Sequence, residues 1–269
     1  MQRLQRRLLQ AARAGLVLLF FGFLLMPIVV MIPASFTAGS FLQFPPEALS
    51  LRWYAFVLTS EAWLASAWVS LKIGTGAMLL STLAGMLVGF SVYRFGRLPR
   101  GLRLLYLSPL LVPHIVVATG LFDLLVPLHL YGSGWVLALG HATMSLPISV
   151  VVSVAAFESL ERSYWTAANT LGARWHQILG KVILPIIGAT VAACLILTFE
   201  NSWHEVTLAV FIGPGLTPTL PSKLFSLLLQ ENSPAFAAVS TLLLAVTLLV
   251  GLALALMPRR RFAAPEAER

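Results

Sequence analysis

Between two long apolar runs the chain reads Tyr164-Trp165-Thr166-Ala167-Ala168-Asn169-Thr170-Leu171-Gly172 and, after Ala173-Arg174, Trp175-His176-Gln177-Ile178-Leu179-Gly180-Lys181-Val182-Ile183-Leu184-Pro185. The first part predicts a short helix with a small-residue face. Gly172 stops it, because glycine takes the left-handed conformation just past a helix end without steric cost. In the second part Trp175, Ile178, Leu179 and Val182 fall on one helical face. Pro185 suits the opening of the next helix, where its fixed φ and missing N–H do no harm. Two short amphipathic helices lying across the ends of membrane spans would offer a soluble partner a surface to push on. An interfacial helix that only anchors the loop has the same pattern, and the residue chemistry leaves both readings open.

Composition supplies the spans. The chain has 269 residues, 58% hydrophobic and 10% charged, with a mean hydropathy of +0.88; ordinary soluble domains are roughly 45–50% apolar and 25% charged. A water-soluble fold cannot hide so much apolar surface. Soluble enzymes, nucleic-acid binders and disordered scaffolds are excluded, and a polytopic membrane protein remains. Six runs approach or exceed the ~20 residues that a spanning helix needs: residues 15–33, 65–93, 102–128, 135–157, 185–199 and 236–257. The second is longer than needed and so expected to tilt or protrude. Pro109 and Pro113 interrupt the third and Pro147 lies in the fourth, which predicts kinks. The first run exceeds a signal-peptide core and has no A-x-A site after it, so it reads as a retained anchor. The expected plan is a basic tail (1–14), a six-helix membrane domain (15–257) carrying the loop 158–184, and a second basic tail (258–269).

The net charge of +8 reflects orientation rather than a nucleic-acid surface. Arg3, Arg6, Arg7 and Arg13 precede the first span. Arg94, Arg97, Arg100 and Arg103 follow the second, Arg162, Arg174 and Lys181 lie in the long loop, and Arg259, Arg260, Arg261 and Arg269 close the chain. All fall on one side, and the remaining cations are Arg52, Lys72 and Lys223. Short loops rich in Lys and Arg are cytoplasmic, which places both termini inside. Ser81, Gly85 and Gly89 recur every fourth residue and let two helix backbones approach, either within the bundle or between subunits. A single cysteine, Cys194, excludes an intramolecular disulfide and reads as a packing residue. The histidines His114, His129, His141, His176 and His204 fall in five separate segments, so no metal site is expected. With no Gly-rich phosphate loop and no nucleophile elbow, the chain is expected to be neither an ATPase nor another enzyme.

The long loop resembles that of the inner-membrane permease subunits of binding-protein-dependent ABC importers. Their signature is Glu-Ala-Ala, three residues, Gly, nine residues, then Ile-x-Leu-Pro. Here Thr166-Ala167-Ala168, Gly172 and Val182-Ile183-Leu184-Pro185 keep both spacings, with Thr166 for the Glu and Val182 for the Ile. The Thr166 hydroxyl could still cap a helix. Ser50-Leu51-Arg52-Trp53-Tyr54, Ser108-Pro109 with Pro113-His114, Glu205-Val206 and Thr219-Leu220-Pro221 are similar to the spermidine/putrescine-type branch. His204 stands where that branch usually has Asp. The resemblance implies an all-α membrane protein with six transmembrane helices, in the type I ABC importer permease fold. It implies partners: a cytoplasmic ATPase dimer that binds the ATP and Mg, a second and different permease chain, an external or periplasmic solute-binding protein, and the bacterial inner membrane. No cofactor is expected in this chain. Thr166, Ala167, Ala168, Leu171, Gly172, Leu184 and Pro185 would receive the ATPase's movement and pass it to the fifth span. The implied solute is a polyamine or similar small cation; an anion, a metal or an amino-acid derivative is the alternative.

Charge within a bilayer is expensive, so each intramembrane acid is a candidate site. Asp123 lies late in the third run, and Glu200 and Glu205 bracket Asn201-Ser202-Trp203-His204 where the fifth run breaks. Two readings stand for the acids: they line an outward vestibule that attracts a cation, or Asp123 and Glu205 sit at the water interface while Glu200 pairs inside the bundle. Trp203 either stacks on a cation or belongs to an interfacial belt. Lys72 either snorkels outward or pairs with one of the acids. A secondary transporter would need inverted repeats, which the sequence does not display, and an intramembrane enzyme would need a clustered nucleophile or metal set.

Overall fold

Apolar segments in hydrocarbon satisfy their backbone polar groups internally, and a helix does this within one segment. The computed structural model describes residues 2–96, 99–215, 217–230 and 233–256, and the Thr37–Leu49 bridge is the only β pairing among them. The helices are α1 Gln2–Ser35, α2 Arg52–Thr59, α3 Glu61–Phe95, α4 Arg100–Leu111, α5 His114–Leu125, α6 Gly134–Glu158, α7 Arg162–Thr170, α8 Trp175–Ile178, α9 Leu184–Trp203, α10 Thr207–Ile212, α11 Leu220–Gln230 and α12 Pro234–Leu256. A π-helical turn, Leu179–Ile183, joins α8 to α9. Five helical segments are long and apolar enough to cross a membrane, and the bent pair α4–α5 makes a sixth if taken as one span. Arg97 and the C-terminal tail with its four arginines lie outside the described residues. α1 is continuous from Gln2, and its apolar span runs from Ala12 to Ser35.

The chain forms two compact units. One runs to Leu64 and takes in Ser226–Val246; the other is Ala65–Phe225 with the chain from Thr247 onward. In the first, the segment after α1 folds back on itself: Ser50 N–H donates to Phe36 O, and the Arg52 guanidinium and the Trp53 indole both donate to Gly39 O. The large apolar side chains of α1 from Leu16 to Met26 are exposed, as a lipid-facing helix requires.

The second unit is built around α6, whose Leu137, Phe157 and Val150 are fully buried. Ser81, Gly85 and Gly89 serve packing within this unit: a Cβ on Gly85 would lie 2.0 Å from Ser149 Oγ, and one on Gly89 2.7 Å from the Phe157 ring. Ser149 Oγ donates to Ser81 O across the same contact. His141, Ser145, Ser149 and Ser153 recur every fourth residue of α6, and Cys194, Thr198 and Ser202 do so on α9; all are buried. Cys194 packs there at 3.7 Å from Ser149 Oγ, the passive place expected of it.

The prolines act differently from one another. Pro147 stays inside a continuous α6. The expected third span is instead broken: α4 and α5 meet at 103°, with Val112 extended ahead of Pro113, because a residue before proline is pushed out of the helical region. Conversely, the expected separation of a cross-lying helix at 175–182 from a fifth span at 185–199 does not occur. Trp175–Trp203 is one helical span. The wide turn at Leu179–Ile183 removes the usual i→i−4 hydrogen bonding just before Pro185, so that proline's missing N–H and bulky ring are accommodated without a stop. Trp175 also departs from the expected apolar face: Ile178 is buried and Leu179 partly so, while Trp175 is 62% exposed.

Candidate functional site

At the loop end, the helix read from the small-residue stretch is present as α7, and its end is a Schellman motif. Ala173 N–H donates to Ala168 O, Gly172 N–H donates to Asn169 O, and Gly172 has φ +80°. A non-glycine residue is strained at this φ. The next turn is tied by Arg174 N–H donating to Gln177 Oε1. Thr166 caps nothing: its hydroxyl donates to Arg162 O within the helix. The mount beneath is closely packed. Phe157, Leu160, Ile178, Ile183, Ile187 and Tyr93 form a buried cluster on which Trp165, Ala168 and Ala173 rest. Tyr93 OH donates to Glu161 O, and the Arg94 guanidinium lies 5.3 Å from the Trp165 ring centre. Thr166, Ala167 and Gly172 are left exposed, and Leu171, an apolar residue, is 88% exposed. Leu184 and Pro185, also exposed, lie at the start of α9.

At the far end of α9 a cavity of about 570 Å³ is lined by His114, Glu200, Asn201, His204, Glu205 and neighbouring apolar groups. Helical spacing puts Glu200 and His204 on one face, with His204 Nδ1 3.3 Å from Glu200 Oε1. Thr247 Oγ1 donates to the same carboxylate oxygen at 3.0 Å. Glu205 is buried: Oε2 lies 2.9 Å from His114 Nδ1, and Oε1 accepts Leu208 N–H at 3.0 Å. The break at Pro113 is what delivers His114, first residue of α5, to this carboxylate. Behind the cavity Asn201 Nδ2 donates to Ser145 Oγ, and Ser202 Oγ lies 2.8 Å from His141 Nδ1. The acids are held by hydrogen-bonding groups, which lowers the cost of keeping them inside a bundle.

Three of the five pathway candidates, Glu200, His204 and Glu205, therefore converge. The other two do not. Asp123 is exposed on α5 and lines no part of the cavity. Trp203 stacks on Phe199, with ring centres 5.4 Å apart and planes 24° apart. Among the described residues Lys72 pairs with no acid; its ammonium sits 5.3 Å over the Trp68 ring. His114 and Thr247 were missed because their partners lie 91 and 47 residues away; for His114 the signal present was proline just before it. Among the described residues no group of three or more His, Cys, Asp or Glu has metal-binding geometry.

Residues 81–262 match the family described as the binding-protein-dependent transport system inner membrane component. The chain belongs to this family and is a transmembrane permease subunit of an ABC importer. It is 29% identical over 249 residues to the spermidine/putrescine transport system permease protein PotC of Escherichia coli, covering 92% of this chain and 94% of that protein. The putrescine transport system permease protein PotI of the same organism is also 29% identical over 249 residues, covering 89% and 88%. In fold it is similar to a chain of the bacterial alginate ABC transporter solved with an alginate pentasaccharide-bound periplasmic protein, with a TM-score of 0.68, 17% identity and 95% of each chain covered. The type I importer permease fold and its six spans follow.

Proposed function

We propose that this permease admits a small cationic solute of the polyamine class through a pathway lined by Glu200 and Glu205. The observation that carries the reading is their convergence in one cavity of about 570 Å³. The two carboxyl groups make the lining acidic, which favours a cation over an anion. The names of the relatives PotC and PotI support the same solute class. In this reading His114 and His204 hold the acids in position and yield them to an ammonium group when it arrives.

The drive comes from other chains. A cytoplasmic ATPase dimer grips the exposed face of Thr166, Ala167, Leu171 and Gly172, with Ala168 seating that face on the cluster beneath. Its closure moves α7, and the movement passes through Leu184 and Pro185 along α9 to the cavity, a lever joined to a two-state bundle. A second, different permease completes the pathway, and a solute-binding protein delivers solute on the face opposite the loop, with both termini cytoplasmic. This chain then needs no catalytic residue. Reconstitution with the co-expressed ATPase, second permease and binding protein tests the reading. ATP-dependent uptake of putrescine or spermidine should exceed that of an anion of similar size and fall in Glu205→Gln. Equal uptake of the anion, or polyamine flux without ATPase, would overturn it.

A further inference from the structure

A second cavity, of about 920 Å³ and mainly apolar, lies between α3 and the beginning of α6, lined among others by Trp68, Lys72, Gly76, Leu80, Trp135 and Ala138. Its size is that of a small-molecule site, about 300–1,000 Å³. Its one charged lining group is Lys72. Trp68 and Trp135, flanking it, are 57% and 78% exposed.

Depth decides what can reach this ammonium. On α3, Tyr93 hydrogen-bonds to the backbone of Glu161 and so marks the loop-side boundary of the bilayer. At ~1.5 Å per residue Lys72 is roughly 31 Å from Tyr93 along a continuous helix. One hydrocarbon thickness is about 30 Å. Lys72 therefore stands at the opposite boundary, at the height of lipid phosphates, with two tryptophans at the level that aromatic belts occupy. From there Gly76, Leu79 and Leu80 lead inward along the same wall. The glycine keeps the wall thin: a Cβ at position 76 would already touch the Ala138 methyl at 3.4 Å.

We infer that this groove binds one acidic phospholipid in the leaflet opposite the 158–184 loop. Its phosphate meets the Lys72 ammonium and an acyl chain lies along Gly76–Leu80. A helix from another protein would bury Lys72 against apolar side chains, at the cost of an unpaired charge, unless it brought its own carboxylate. A lipid supplies anion and acyl chain together, at the heights where the protein presents their counterparts.

The test uses the full-length chain, assembled with its co-purified partners, in phosphatidylcholine nanodiscs. Phosphatidylglycerol with brominated acyl chains is titrated in, and the part of tryptophan quenching that Trp135→Phe removes is followed. Half-quenching should need about fivefold less brominated phosphatidylglycerol than brominated phosphatidylcholine, the preference that one cation near an anionic surface confers. Lys72→Gln should abolish that preference, Lys72→Arg should retain it, and raised salt should weaken it in the unsubstituted protein. Equal quenching by the two lipids, or a preference unchanged in Lys72→Gln, overturns the proposal. So does a cysteine at position 135 that cross-links to another protein chain. Should Lys72→Gln fail to accumulate, the headgroup and salt comparisons on the unsubstituted protein decide alone.

Discussion

The outer face of α7 and the interior seam of α3, α6 and α9 are made from similar small residues held in opposite ways. On α7 the side-chain hydrogen bonds are local: Thr166 bonds to Arg162 O and Thr170 to Thr166 O, one turn back. In the seam they cross between helices, from Ser149 to Ser81 and from Thr82 to Thr198, and glycines bring backbone against side chain. The first surface satisfies itself and leaves Leu171 uncovered. The second closes on itself through bonds between helices, leaving His141 Nε2 and Ser153 Oγ without a partner among the described residues. Small residues in the seam therefore serve folding, and in the proposed reading those on α7 serve the ATPase.

Substitutions can break this contrast, and the largest effect belongs to the seam. Gly85→Leu forces a side chain where even a Cβ would lie 2.0 Å from Ser149 Oγ and 2.7 Å from its backbone. The chain should fail to accumulate in membranes or elute as aggregate on detergent size-exclusion chromatography. Normal elution would mean that the seam is looser than described. Next comes Gly172→Asp. An αL residue other than glycine costs about 1–3 kcal/mol, and a charge is placed beside Leu171. The chain should insert and elute normally while ATP-driven uptake and ATPase co-purification disappear; retained co-purification would refute the division of labour. Glu205→Gln keeps the shape but removes the charge facing His114. Uptake of a polyamine should drop about tenfold, equivalent to ~1.4 kcal/mol, with the ATPase still bound. Smallest is Thr166→Ala, which removes one exposed local hydrogen bond. The thermal midpoint should barely move, a change within about 0.5 kcal/mol, and a large shift would show that α7 is less self-sufficient than its bonding indicates.

Hydropathy and charge made the six spans legible, and the spacing of Ala167, Ala168 and Gly172 made α7 legible to its last residue. These features depend on periodicity and on local backbone preference, both written along the chain. The break at Val112–Pro113 was half legible: proline predicts a kink, but the 103° angle is fixed by packing on α6 and α10. Pro185 does stand in the first turn of α9, as read, but the π turn that joins α9 to the helix before it is a tertiary accommodation that no local propensity announces. Glu200 and Glu205 stood out as costly charges in apolar surroundings. Their partners Thr247 and His114 had no such mark, since a partner across the bundle is chosen by fold geometry rather than by neighbours in sequence.

The wide turn at Leu179–Ile183 sets the rotational phase of everything after it. A π bulge holds one residue more than the α-helix it interrupts. Excising that surplus would draw the remainder of the rod back by about 1.5 Å and twist it by about 100°. Glu200 and Glu205 both lie beyond the turn and would swing together, away from Thr247 and His114 on the other helices. A single amino acid, some twenty positions from the acids, thus keeps them facing their partners.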